Sequence, residues 1–211
     1  QGLVSLEEAE RLMGFCSNSG PAFLVGSIGA GVFGSARLGV GLYIIHVLAA
    51  AITGLFFRVD GKCRGNAPAA PRESGGALIE SVRQAAQSIL SVCGFIVCFC
   101  VIIGLLDAHG MFSLLAGQLA QITGLELHAA RAALSGFLEL GSGIGSMRGL
   151  AASPANLAIA AGIVGWGGVS VHFQTYAVLA DSDIKGGLHL AGRLINCAVS
   201  AELGYIFGLL L

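Results

Sequence analysis

The run ILSVCGFIVCFCVIIGLL, Ile89–Leu106, carries no formal charge over its whole length and is closed by Asp107. A helix crosses the roughly 30 Å hydrocarbon core of a bilayer with about 20 mostly apolar residues. A second run, Leu38–Phe57, has the same character and is closed by Arg58. These two stretches ask for lipid on their outer surfaces.

The rest of the composition agrees. Of 211 residues, 55% are hydrophobic and 11% charged, and the mean hydropathy is +0.83. A soluble domain carries about 25% charged residues, so 11 Lys+Arg and 12 Asp+Glu cannot cover a globule of this size. Glycine supplies 33 residues, more than twice the usual share of about 7%, with no G-X-Y period. Collagen, disorder and an ordinary soluble enzyme are excluded. A net charge of −1 without a basic face argues against nucleic acid. The expected fold class is an all-α integral membrane protein, a polytopic helical bundle.

The six cysteines form no disulfide framework or chelating pattern. Cys93, Cys98 and Cys100 share one apolar run, Cys197 stands alone in another, and Cys63 falls in a loop. They read as free thiols in apolar surroundings. The chain opens at Gln1, and Ser5 with Glu8 predicts a capping box on a short interfacial helix.

Between the two long runs lies a polar linker, Val59–Gly76, with Pro68 and Pro71, then an amphipathic stretch, Ala77–Ser88. Glu80, Gln84, Gln87 and Ser91 recur at helical spacing, which predicts an interfacial helix over 77–88. Arg58, Lys62, Arg64, Arg72 and Arg83 cluster here, so residues 59–88 are expected on the cytoplasmic side. The next loop, Asp107–Gly110, is then external.

Elsewhere the apolar segments are interrupted. Pro21–Gly34 is too short to span, and its small residues Gly26, Ala30, Gly34 and Ser27, Gly31, Ser35 predict a close-packed face. Leu125–Ile144 reads as one helix with several polar groups. Ala155–Ala180 is long enough to span but is broken by Gly165-Trp166-Gly167-Gly168, and Leu188–Leu211 is the last helix. Breaks at membrane depth are tolerated where they line protein or a water-filled cavity, a device used mainly by transporters.

Three places carry candidate chemistry. His128, Arg131, Ser135, Glu139, Ser142 and Ser146 fall within about 60° of one face of a continuous helix. A carboxylate in a bilayer is costly, which makes Glu139 the leading candidate. The alternative is a structural ion pair with Arg148 or Arg193. A similar stripe runs along the last helix through His189, Arg193, Asn196 and Ser200. Second, Ser17-Asn18-Ser19-Gly20-Pro21 reads either as a capped helix start or as a re-entrant hairpin tip offering N–H, hydroxyl and amide groups to a polar solute. Third, Ser170, His172 and Gln174 follow the glycine break. His172 suits either a ligand or a neighbouring carbonyl.

The stretches GFCSNSGPAFLVGSIGAGVFGS (14–35), ESVRQAAQSILSVCGFIVCFCVII (80–103) and LSGFLELGSGI (134–144) resemble the sporulation integral membrane protein family of the YlbJ type, which carries the nucleoside-recognition, or Gate, domain. The likeness is weaker after residue 180. More distantly, the chain is similar to the gates of concentrative nucleoside transporters and of the bacterial ferrous iron transporter. The resemblance implies a re-entrant hairpin tip at Ser17, Asn18 and Ser19, an acidic broken-helix position at Glu139 and Ser142, and a second hairpin at Ser170 and Gln174. It departs from the nucleoside transporters in having no acidic residue in the first tip. Family chains run about twice this length, so residues 1–211 are expected to be one Gate-type domain, the C-terminal half of a longer chain. The resemblance also implies the plasma membrane of a spore-forming bacterium.

The expected function is binding or translocation of a small polar solute, nucleoside-like on the resemblance, through Ser17, Asn18, Ser19, Glu139, Ser142, Ser170, His172 and Gln174. A coupling cation of unknown identity is the one cofactor to allow for. The alternatives are a non-transporting membrane scaffold for the spore envelope and a divalent metal carrier. The latter rests only on Cys16, His128, Glu139 and His172, which lack chelating spacing. Enzymatic chemistry is not expected, because no nucleophile, phosphate loop or metal motif accompanies Glu139. Besides lipid, the small-residue faces suit a homo-oligomer, although the same packing serves within one chain.

Overall fold

The computed structural model describes residues 5–58, 77–180 and 182–211. The expected linker 59–76 lies outside the described residues. Within them the regular structure is helical: α1 (Leu6–Cys16), a π-helix (Ala22–Ala30), α2 (Ala36–Phe56), α3 (Ala77–Ala108), α4 (Met111–Thr123), α5 (Leu127–Leu138), α6 (Leu140–Ser146), α7 (Pro154–Trp166), α8 (Val169–Leu179) and α9 (Gly187–Leu209). Three stretches, Ala36–Phe56, Leu78–Ala108 and Pro154–Leu179, are long and apolar enough to cross a membrane. The chain is an all-α, multi-pass integral membrane protein.

Local chemistry sets the helix ends. The Ser5 hydroxyl accepts from the Glu8 N–H at 3.2 Å while the Glu8 carboxylate accepts from the Ser5 N–H at 2.8 Å, completing the expected capping box. α7 starts with Ser153 as its cap and Pro154 in the first turn, where a missing N–H costs nothing. α4 is framed by Gly110 (φ 73°) and Gly124 (φ 73°), and the turn before it is only His109–Gly110, since Asp107 and Ala108 still belong to α3.

α7 and α9 form the centre, packed antiparallel through glycines. A Cβ on Gly208 would lie 2.4 Å from Pro154 Cα, and one on Gly165 would lie 2.7 Å from Asn196 O. α1 and α2 lie against α9, and the π-helix lies against α2. The buried apolar core joins Leu24, Ile28, Leu42, Met147, Leu157 and Val164. α3 sits at the edge: only 6% of its apolar window is buried, which leaves the rest to lipid.

Four sequence expectations are corrected. The interfacial helix 77–88 is not separate, because no glycine or proline interrupts 77–93 and α3 runs unbroken from Ala77 to Ala108. At 1.5 Å per residue its 32 residues exceed the bilayer core, so the polar first turns extend the span beyond the apolar layer. The helix expected over Leu125–Ile144 is broken at Glu139, so the six-residue polar stripe is not one face. The small-residue pattern makes no close-packed face, because Gly26, Ser27, Ala30, Gly31 and Gly34 are exposed on and after the π-helix. Gly26 faces open space, and the close approach is made instead by Gly29 and Gly39. Finally, no side chain of Ser17–Ser19 caps the segment after Pro21.

Candidate functional site

Two helix breaks meet. Glu139 is extended (φ −143°, ψ 121°), which ends α5. Its carboxylate then turns onto the start of α6, Oε1 accepting from Gly141 N–H at 2.9 Å and Oε2 from Ser142 N–H at 2.6 Å. An anion at a helix N-terminus is stabilised by free N–H groups and the dipole. The buried carboxylate of Glu139 is therefore met by backbone N–H groups, and the alternative ion pair with Arg148 or Arg193 is not formed. α7 ends at Gly167 (φ 89°) and Gly168 (φ 85°, ψ 150°), conformations that only glycine adopts at low cost. A Cβ on Gly168 would lie 2.9 Å from Leu140 N and 3.2 Å from Glu139 Cα. The backbones at the two breaks touch, and that contact requires glycine.

Arg193 ties this junction to the first tip. Its side chain is buried, with Nε donating to Trp166 O at 3.0 Å, Nη2 to Val164 O at 3.0 Å and Nη1 to Ser17 O at 2.5 Å. Val164 and Trp166 lie in the last turn of α7, and Ser17 is the C-cap of α1. Helix C-termini carry partial negative charge and unpaired carbonyls. The guanidinium fork thus takes carbonyl groups from two interrupted helices in place of a carboxylate.

Imidazoles extend the network. His189 Nδ1 lies 3.1 Å from Met13 O and its Nε2 lies 3.2 Å from His172 Nδ1. A carbonyl only accepts, so with neutral rings His189 donates to Met13 through Nδ1 and accepts at Nε2, and His172 donates to it. His172 Nε2 is left as a buried acceptor with no partner. On the other side, Ser19 N–H donates to His46 Nε2 at 3.0 Å, which leaves the His46 Nδ1–H as a buried donor without a partner. Thr53 Oγ1, Asn196 Oδ1 and Ser200 Oγ are also unpartnered, on α2 and α9. Trp166 anchors the group by donating to Phe137 O at 2.9 Å and stacking on the Phe137 ring.

The expected site residues are distributed as follows. Ser17 and Ser19 reach the junction through their backbones, whereas Asn18 is exposed and turns back to Phe15 O. Glu139 and Ser142 share the α5–α6 break, and the Ser142 hydroxyl meets Cys100 Sγ at 3.4 Å. Ser170 is buried and accepts from Gln174 Nε2 at 3.1 Å, so these two pair with each other, while His172 belongs to the imidazole chain. Of the α5 stripe, His128, Arg131, Ser135 and Ser146 line a separate polar cavity. Among the described residues no three of His, Cys, Asp and Glu gather to hold a metal ion. Arg193, His189 and His46 are the groups that sequence reasoning left out of the site. Arg193 and His189 were signalled by the polar stripe of the last helix, and His46 by being a lone imidazole in an apolar span.

The chain is similar to the sporulation integral membrane protein YlbJ of Bacillus subtilis (strain 168), 28% identical over 229 residues covering 94% of this chain and 55% of that protein. It therefore spans about half the length of the curated relative it matches. No family model and no solved structure matches.

Proposed function

We propose that the chain is the gate-like part of a sporulation-associated protein of a bacterial plasma membrane, and that it binds or translocates a small polar solute, nucleoside-like on the resemblance. One observation carries this reading: the buried Arg193 bonds the chain ends after Cys16 and at Gly167, and the break at Glu139 lies against Gly168. Interrupted helices at membrane depth are tolerated where they are buried in protein or line a water-filled cavity, and transporters use such ends to meet a polar solute. The bonds that close the junction are of the kind a solute can replace: three carbonyls on one guanidinium and two N–H groups on one carboxylate. In this reading Gly167 and Gly168 are the hinges. Ser17, Ser19 and His172 supply contacts when the tip withdraws, and Glu139 is the site for a proton or coupling cation.

Radiolabelled uptake into proteoliposomes tests it. Glu139→Gln is expected to abolish uptake of a transported solute while Trp166 emission and Tm show a folded chain. Unchanged uptake removes Glu139 from the mechanism.

A second reading is favoured by a different feature. Glu139 and Arg193 are satisfied within the chain, as expected of a scaffold whose polar groups hold helices together. A thermal-shift screen against nucleosides, amino acids and divalent metals separates the two readings, since a scaffold gains no stability from any solute.

A further inference from the structure

We infer that the cavity between the end of α3, α4 and α5 is a binding site for a small, uncharged, hydroxyl-rich solute of the polyol or monosaccharide class. The space is about 290 Å³ and is lined by Asp107, Phe112, His128, Arg131, Ser135 and Ser146. That is the small end of the ligand-pocket range and corresponds to about ten waters of liquid volume.

The charges of the lining are already balanced. Arg131 Nη2 donates to Asp107 Oδ1 at 2.8 Å, its Nη1 donates to Ser113 Oγ at 2.7 Å, and its guanidinium lies 5.4 Å from the Phe112 ring centre. The lining therefore carries no unbalanced charge, and a neutral ligand leaves the ion pair intact.

The open valences set the class. His128 Nε2 lies 2.7 Å from Ser146 O, a carbonyl that only accepts, so the neutral ring donates there and its Nδ1 is a free acceptor. Asp107 Oδ2 is a second acceptor with no protein partner. The Ser135 hydroxyl, on a buried residue of the cavity wall, both donates and accepts. Arg131 keeps three N–H donors, on Nε, Nη1 and Nη2. Donors and acceptors are mixed in this set, and the Ser135 group that does both is itself a hydroxyl. A solute answers this set best with several O–H groups, each able to donate to Asp107 or His128 and accept from Arg131. Burying such groups without partners is costly, which disfavours apolar solutes of the same size.

This site is distinct from the Arg193 junction. The inference rests on the reading of the chain as a solute binder and holds whether or not the solute crosses the membrane. The test is equilibrium binding to the full chain in nanodiscs, read by Tm against concentration for myo-inositol, ribose and uridine, with inositol monophosphate and leucine for comparison. The expected result is stabilisation by at least one of the first three and by neither comparison solute. Ser135→Ala, which removes only a hydroxyl from the wall, is expected to weaken binding at least tenfold with unchanged unliganded Tm, and Asp107→Asn likewise, whereas Glu80→Gln on the far end of α3 leaves binding intact. No stabilisation by any of the three neutral solutes, or wild-type affinity in Ser135→Ala, overturns the site. Binding of these solutes without uptake leaves the site standing and counts against transport, so the two readings fail separately.

Discussion

Arg193→Met is the sharpest perturbation of this molecule. Methionine fills a similar volume and carries no charge, so the variant isolates what the guanidinium does. Replacing a buried ion by a well-packed apolar residue is often neutral or stabilising, because the desolvation cost disappears. Here three main-chain acceptors remain behind: Val164 O, Trp166 O and Ser17 O, with Arg193 only 3% exposed. Intramembrane hydrogen bonds average about 0.6 kcal/mol by double-mutant cycles, and bonds in soluble proteins about 0.5–1.5 kcal/mol, more with a charged donor. Three such losses come to about 2–4 kcal/mol. For a chain of this size that is a fall in Tm of roughly 4–16 °C, at about 2–4 °C per kcal/mol. Arg193→Lys keeps the charge but not the fork, so it is expected to lose about half as much. Trp166 is the only tryptophan and its carbonyl is one of the three acceptors, so its emission reads this junction directly. An Arg193→Met variant at least as stable as wild type, with unshifted Trp166 emission, would refute the view that the arginine joins the ends of α1 and α7.

Other outcomes follow from the same geometry. Gly39→Ala places a Cβ 2.7 Å from Leu24 O and 2.9 Å from Gly29 Cα, so it should cost about 1–3 kcal/mol by overpacking, whereas Gly26→Ala, with nothing within 4 Å, should be close to neutral; thermal melts of the pair decide this. Gly168→Ala adds about 1–3 kcal/mol of backbone strain at φ 85° to a clash with Leu140 N, and is expected to lower Tm and shift Trp166 emission together, while Gly94→Ala moves neither. The Glu8 carboxylate is held below its ordinary range by the Ser5 backbone N–H, then by the Ser5 hydroxyl and Arg11. A depressed carboxylate favours the capped helix above its unfolded value and loses that contribution as pH falls through its folded value. Amide protection in the first turn of α1 should therefore drop in acid, and Glu8→Gln, which removes the titrating group, should flatten that dependence; protection that persists in acid in the wild type contradicts the capping box.

The sequence by itself determined the solvent and the places where helices stop. Uncharged runs at 38–57 and 89–106 have no stable place in water, and Ser5/Glu8 and Gly167-Gly168 act on the backbone beside them, so their effects were legible without a fold. The break at Glu139 was not legible in the residue spacing and entered only through the family resemblance. Its helical spacing is perfect, and α5 stops there only because the carboxylate bonds the next two free N–H groups while Gly168 brings a second backbone against it. The π-helix is likewise absent from the sequence pattern, and the close approach of Gly29 and Gly39 that joins it to α2 appears only in the fold. Arg193 shows the division best. Its position on a polar stripe was in the sequence, but its partners are carbonyls of Ser17 and Val164, 176 and 29 residues away. A backbone carbonyl has no identity in a sequence, so only the tertiary structure decides which one a side chain meets.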